Sequence, residues 1–166
     1  MITARRATIE DAPELVRLRG VMLTGLNGRA PEPGQWQDAS LRTLRRRLTN
    51  PEESLAAYVV DKPDVPGELA ACVIGIIEYR LGGPSNPSGE IGYVFNAVTA
   101  PGYRRRGYFR ACMEGLLSWY HQRGVTLVDL KASEDGEPLY RALGFVPTSS
   151  PAMRLTINKP ATTPRG

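Results

Sequence analysis

The chain has 166 residues, 42 % hydrophobic and 23 % charged, with a net charge of +4. That length suits one domain with a core of its own. The sequence has no run of about 18 apolar residues, which argues against a membrane span.

Charge is uneven. Residues 1–50 carry 9 Arg and 5 acids, residues 51–100 carry 2 basic groups and 7 acids, and residues 101–166 carry 10 and 5. A nucleic-acid binder is more often basic along one stripe, and few aromatics interleave with the arginines at 42–47 and 104–110, so nucleic acid is not the expected partner. Early arginines are not followed by an apolar stretch, so the start does not read as a secretory signal. Cys72 and Cys112 lie in apolar runs and read as buried free thiols of a reducing compartment, which points to the cytoplasm. One histidine and two scattered cysteines do not make a zinc site, and no metal is expected.

In chain order, residues 2–8 suit a short first strand. A helix follows over 8–26, capped by Thr8 or Asp11, with Leu15, Leu18, Met22 and Leu26 at helical spacing. Residues 27–35 form a loop by their Gly and Pro content. A second helix fits 38–50, capped by Asp38 or Ser40 and ended by Pro51, with Leu41, Leu44 and Leu48 on one face. Its arginines read as a solvated face.

Three strands follow, at 54–61, 69–81 and 90–99. Their loops are short, so the meander is antiparallel. The third has apolar residues on both faces, as expected of a covered central strand. A helix spans 107–123, with Phe109, Cys112, Met113, Leu116 and Tyr120 in phase and Gly124 as its stop. A strand at 125–132, a short helix at 138–145 and last strands within 145–157 complete the order. Residues 159–166 read as a disordered tail. The strand–helix–strand unit from 90 to 131 should be a right-handed parallel crossover. The fold class is therefore α+β, a mixed and mostly antiparallel sheet with helices on both faces, in a single domain over 1–158.

The chemistry concentrates where the third meander strand meets the helix at 107. The first amides of a helix lack internal partners and point out of its end, which suits an anion. Gly107 lets the backbone come close to a ligand. Arg104, Arg105 and Arg106 add charge-assisted donors for phosphate. A solvated basic turn is the competing reading of the same residues.

The stretch "VTAPGYRRRGYFRACMEGLLSWYHQRG" resembles the acetyl-coenzyme A motif of the GCN5-related N-acetyltransferases (GNATs), written Arg or Gln, two residues, Gly, one residue, Gly or Ala. Arg104 and Gly107 match, and Phe109 stands at the last position. "ASEDGEPLYRALGFVPT" resembles the second motif of that family at Leu139, Tyr140, Gly144 and Phe145. The resemblance covers about residues 2–157, including the order of elements.

By position, it implies that the amides of Arg105, Arg106, Gly107, Tyr108, Phe109 and Arg110 hold a pyrophosphate, with Arg104 beside them. Val98 and Thr99 would hold the pantetheine arm and the acetyl carbonyl, on a bulged strand that splays from its neighbour. Tyr140 would protonate the departing thiolate. Ser133 stands where many members carry a cofactor-touching asparagine. Phe109 replaces a small residue: at the first turn it would either crowd the diphosphate or, being in phase with the apolar face, turn inward and leave the amides clear.

Glu78 or Glu90 is the candidate proton acceptor for the incoming amine, directly or through water. Asn96 either orients a polar group of the substrate or is a satisfied core amide. His121, near a helix C-terminus, reads as structural. The resemblance thus implies transfer of an acetyl group from acetyl-CoA to a primary amine of a small molecule or protein, within a ternary complex. The alternative is an acyl-CoA sensor of the same fold without turnover. Dimers are common among similar proteins, so a homodimer is compatible with the resemblance.

Overall fold

Strand β1 (Arg5–Arg6) opens the chain. Thr8 closes the next turn, its N–H donating to Asp11 Oδ2 at 2.8 Å, and helix α1 (Ala12–Asn27) begins with a proline in its first turn. Leu15 and Leu18 of α1 are buried, whereas Leu26, expected on the same stripe, is exposed. The described residues of this computed structural model are 1–50 and 53–158. They fall into two compact units, residues 1–131 and from Ala132 onward. No described helix is long and apolar enough to cross a membrane.

Helix α2 (Gln35–Leu48) starts earlier than expected. Neither Asp38 nor Ser40 caps it. Gly34 takes that place in an extended conformation, with its N–H donating to Gln37 Oε1 at 2.9 Å. The proposed stop, Pro51, lies outside the described residues. So does the tail at 159–166.

Strands β2 (Leu55–Asp61), β3 (Leu69–Tyr79), β4 (Glu90–Thr99) and β5 (Val128–Leu130) join β1 in one sheet of order β1-β2-β3-β4-β5. The first three pairings are antiparallel and β4–β5 is parallel. Helix α3 (Tyr108–Gln122) makes that crossover and ends at Gly124, whose φ of +76° is the left-handed stop the sequence suggested.

Alternation sorts the sheet into two faces. Ala57, Val59, Cys72 and Ile74 pack with Leu15, Leu18 and Leu44 of α1 and α2. On the other face, Gly75 and Gly92 lie under Tyr120 of α3, and Gly115 of α3 lies over Tyr58. Those glycines bring helix and sheet close, and the buried Tyr120 hydroxyl reaches backbone oxygens of both strands, Ile76 O at 2.9 Å and Tyr93 O at 3.2 Å.

The unit from Ala132 onward holds helix α4 (Glu137–Ala142). The strands expected within 145–157 are not present among the described residues. Met153, Leu155 and Ile157 alternate as a strand would, but each is more than four-fifths exposed and none is paired. A strand needs a partner ladder, and Pro147 and Pro151 each remove a donor from one.

Candidate functional site

Strand β4 is irregular at its middle. Ile74 opposes Asn96, but its neighbour Gly75 opposes Val94, so Phe95 is an extra residue in β4. This bulge sends Asn96 to the α1 face and Val94 to the α3 face. Pairing with β5 stops at the same place. It covers Gly92, Tyr93 and Val94, and from there to Thr99 β4 has no ladder partner on that side among the described residues. Ala100 N–H donates to Ala70 O at 2.8 Å. Alternation from that bond turns the backbone groups of Val98 toward Cys72 and those of Ala97 and Thr99 toward the open edge.

The chain leaves β4 through a single 3-10 turn at Pro101–Tyr103 and enters the arginine stretch. Arg105 has a φ of +61° and Gly107 a φ of +81°. Two left-handed residues so close together turn the chain sharply into the start of α3. Ala111 N–H closes the first turn of α3 on Gly107 O at 3.0 Å. The amides of Tyr108, Phe109 and Arg110 precede it and have no carbonyl four residues back within the helix.

The side chains around this turn are ordered by Tyr103. Its hydroxyl donates to Asp64, its ring stacks on Tyr108 at 6.3 Å, and the Arg106 guanidinium lies over it at 5.2 Å. Arg104 Nε reaches Thr99 O at 3.4 Å, and Arg110 pairs with Glu114 at 3.0 Å. Arg104, Arg105 and Arg106 are all exposed, and Phe109 is half-buried.

The other part of the site is a cavity of about 300 Å³ between α1, α2 and the sheet. Phe95 and Asn96 of the bulge line it, as do Arg19, Ser40, Thr43 and Arg47. Asn96 is 1 % exposed, and its amide is not idle. Its Oδ1 accepts from Arg19 at 3.1 Å, and its Nδ2 faces Cys72 Sγ at 3.6 Å. The bulge thus joins cavity and open edge, one residue apart.

The two candidate bases separate. Glu78 opposes Ile91 and shares the face of Ile74 and Ile76, the cavity side. Its carboxylate accepts from Arg80 Nε at 2.9 Å. Glu90 opposes Tyr79 and falls on the α3 face. His121 is exposed at the last turn of α3.

Within the second unit, Tyr140 meets Phe145 edge-on at 5.8 Å. Burial pushes its phenol above the ordinary value, so it is a neutral donor at physiological pH. Ser133 Oγ accepts from Gly136 N–H at 3.1 Å, which commits it to the turn that opens α4.

The sequence profile of the acetyltransferase (GNAT) family matches residues 25–145. The chain belongs to that family. As a GNAT it shares its fold with solved structures of distant sequence. A predicted acetyltransferase from Clostridium acetobutylicum, solved with acetyl-CoA, is 23 % identical over 95 % of this chain and 96 % of its own, with a TM-score of 0.78. A GCN5-related N-acetyltransferase from Ralstonia eutropha JMP134 is 24 % identical over 93 % and 99 %, with a TM-score of 0.75. An aminoglycoside N-acetyltransferase in complex with CoA is 16 % identical over 98 % and 96 %, at a TM-score of 0.66. A comparison with curated proteins finds no match.

Cavity-lining Arg19 and bulge residue Phe95 were not among the residues singled out from sequence. Arg19 had a readable signal, a cation four residues after Leu15 and three before Met22 on the apolar stripe of α1. Phe95 had none, because a bulge depends on register with another strand.

Proposed function

We propose that this GNAT transfers an acetyl group from acetyl-CoA to a primary amine, directly and within a ternary complex. The observation that carries the proposal is the continuity of β4. Its half beyond the β5 pairing runs from the cavity, through the 3-10 turn at Pro101–Tyr103, into the left-handed turn at Arg105 and Gly107. An acyl-CoA needs a diphosphate cradle, an edge for an extended amide-bearing arm, and an acceptor space beyond it. The residues fit each need in that order.

The amides of Arg105 to Arg110 and the exposed guanidiniums of Arg104 to Arg106 would hold the diphosphate. Ala97 and Thr99 offer outward backbone groups to the arm, with Val98 supporting them from inside the sheet. Bound there, acetyl-CoA supplies an activated acyl group as a thioester. Backbone donors at the open edge are useful if they bind the carbonyl oxygen more strongly as it gains charge.

Glu78 is assigned as the proton acceptor for the amine, through water; it lies on the same face of β3 as the cavity-lining Ile74, four residues along the strand and outside the lining itself. Tyr140 Oη is assigned the proton that leaves on the thiol; burial keeps it protonated. Direct transfer is supported by the cysteines. Cys72 and Cys112 are both buried, and burial pushes the Cys112 thiol up to about 12, so neither is an accessible thiolate carrier.

A binding-only role is the second reading, and the large Phe109 at the motif's small position favours it. Its half-buried state matches a ring turned partly into the α3 face, which leaves the amides accessible. Calorimetric titration with acetyl-CoA tests the cradle. Stoichiometric binding is expected, and absence of binding would defeat both readings.

A further inference from the structure

The cavity beside the bulge has a composition that selects among amines. Among the described residues its lining contains no carboxylate. It contains two arginines, and they are not equivalent. Arg47 is committed, with Nη2 at 3.1 Å from Glu53 Oε1 and 2.8 Å from Ser54 Oγ. Arg19 makes no ion pair among the described residues; its Nη1 donates to the neutral Asn96 amide at 3.1 Å. Asn96 is itself fixed by burial in the core, so it holds the guanidinium in one orientation and leaves other N–H donors of the fork unused. The remaining walls are apolar, from Leu15, Val16, Leu44 and Ile74, with the ring of Phe95 beside them.

A cavity of about 300 Å³ is at the small end of ligand sites, so it takes one small molecule. A second ammonium on that molecule would find no carboxylate among the described lining residues and would face Arg19. A carboxylate would find a planar fork suited to it. We propose that the acceptor is a small amine carrying a carboxylate and an apolar body, the chemistry of an apolar amino acid, with its carboxylate on Arg19. Asn96 then acts as a positioning residue through Arg19. This inference rests on the acyl-transfer reading for the amine, but the ligand chemistry stands on the cavity alone.

The test uses matched acceptors with the full chain: L-phenylalanine, L-leucine and L-methionine, their amides, their decarboxylated amines, and spermidine as a polycation. Thiol release from acetyl-CoA and calorimetric binding are measured in parallel. An ionic hydrogen bond at this site predicts kcat/KM about tenfold to a hundredfold higher for at least one acid than for its amide. Arg19→Gln should bring that ratio toward one, and Arg19→Lys should restore part of it. The ratio is internal to each protein, and the wild-type comparison needs no variant. Equal or better use of the amides or of spermidine would overturn the ligand class and leave acyl transfer standing. Turnover of no amine, with Arg19-dependent binding of the acids over their amides, would keep the ligand class and remove the transfer reading. No preference for the acids in either measurement would overturn the proposal.

Discussion

Gly75→Ala tests how α3 is locked onto the sheet beside the bulge. A methyl group at residue 75 would overlap the Tyr120 hydroxyl, and would sit 2.9 Å from Leu116 Cδ2 and 3.1 Å from Tyr120 Cζ. Leu116 has rotamer freedom to yield. The phenol does not, because Tyr120 is 1 % exposed and its hydroxyl is held by Ile76 O and Tyr93 O. Overpacking of this kind costs about 2–3 kcal/mol. Tyr120→Phe removes the hydroxyl and leaves those two carbonyls short of a donor, at about 1–2 kcal/mol. Once the hydroxyl is gone, the worst overlap at residue 75 is gone as well. The double variant should therefore be more stable than the sum of the single costs predicts, by about 1 kcal/mol. Urea unfolding with an unchanged m value measures all three differences. Additivity within about 0.5 kcal/mol, or a neutral Gly75→Ala, would refute the packing argument.

Gly107→Glu should abolish measurable acetyl-CoA binding, because residue 107 has a φ of +81° and a carboxylate there would oppose phosphate; retained affinity by calorimetry would place the diphosphate elsewhere. Tyr140→Phe should lower kcat about a hundredfold while acetyl-CoA affinity stays within about twofold, and an unchanged kcat would remove Tyr140 as the acid. Arg5 donates to Asp11 and to Asp61, each at 2.8 Å. Burial works against ionisation of Asp11, but hydrogen bonds from Arg5 and Thr8 outweigh it; at Asp61 the Arg5 hydrogen bond comes first, and both carboxyls lie below their ordinary value. Lowered folded-state values mean that the stabilisation is present above about pH 4 and is lost as pH falls through them. Arg5→Gln should cost about 1 kcal/mol at pH 7, screening at these partly exposed groups keeping it small, and the gap in urea midpoint should narrow progressively as pH falls below about 4. A gap that stays constant with pH would contradict this.

What was legible in the chain followed from local pattern. Strand β4 occupies Glu90–Thr99 as read, and α3 lies within the expected 107–123, because branched runs and an in-phase apolar stripe are local signals. Gly107 was legible for the same reason, since a glycine before an apolar stripe marks a turn. The left-handed Arg105 was not, because nothing in a run of three arginines says which one turns. The resemblance implied a bulged and splayed strand, but not where: the bulge at Phe95 is a relation between β3 and β4, and the open edge is a relation between β4 and β5. Neither relation can be read in one segment. The same logic explains the missing strands at the C-terminal end. Met153, Leu155 and Ile157 carry a strand's alternation, but alternation states a preference and a ladder requires a second strand. The start of α2 was misplaced because an extended Gly34, with Gln37 folded back onto it, did the work assigned to Asp38 or Ser40.

The most direct test of the account is amine-dependent release of thiol from acetyl-CoA, with mass spectrometry of the acceptor. The account predicts that release requires the amine and that the acetyl group appears on its nitrogen. Tight binding of acetyl-CoA with no acylated product from carboxylate-bearing, neutral or polycationic amines would contradict transfer and leave a protein that only binds.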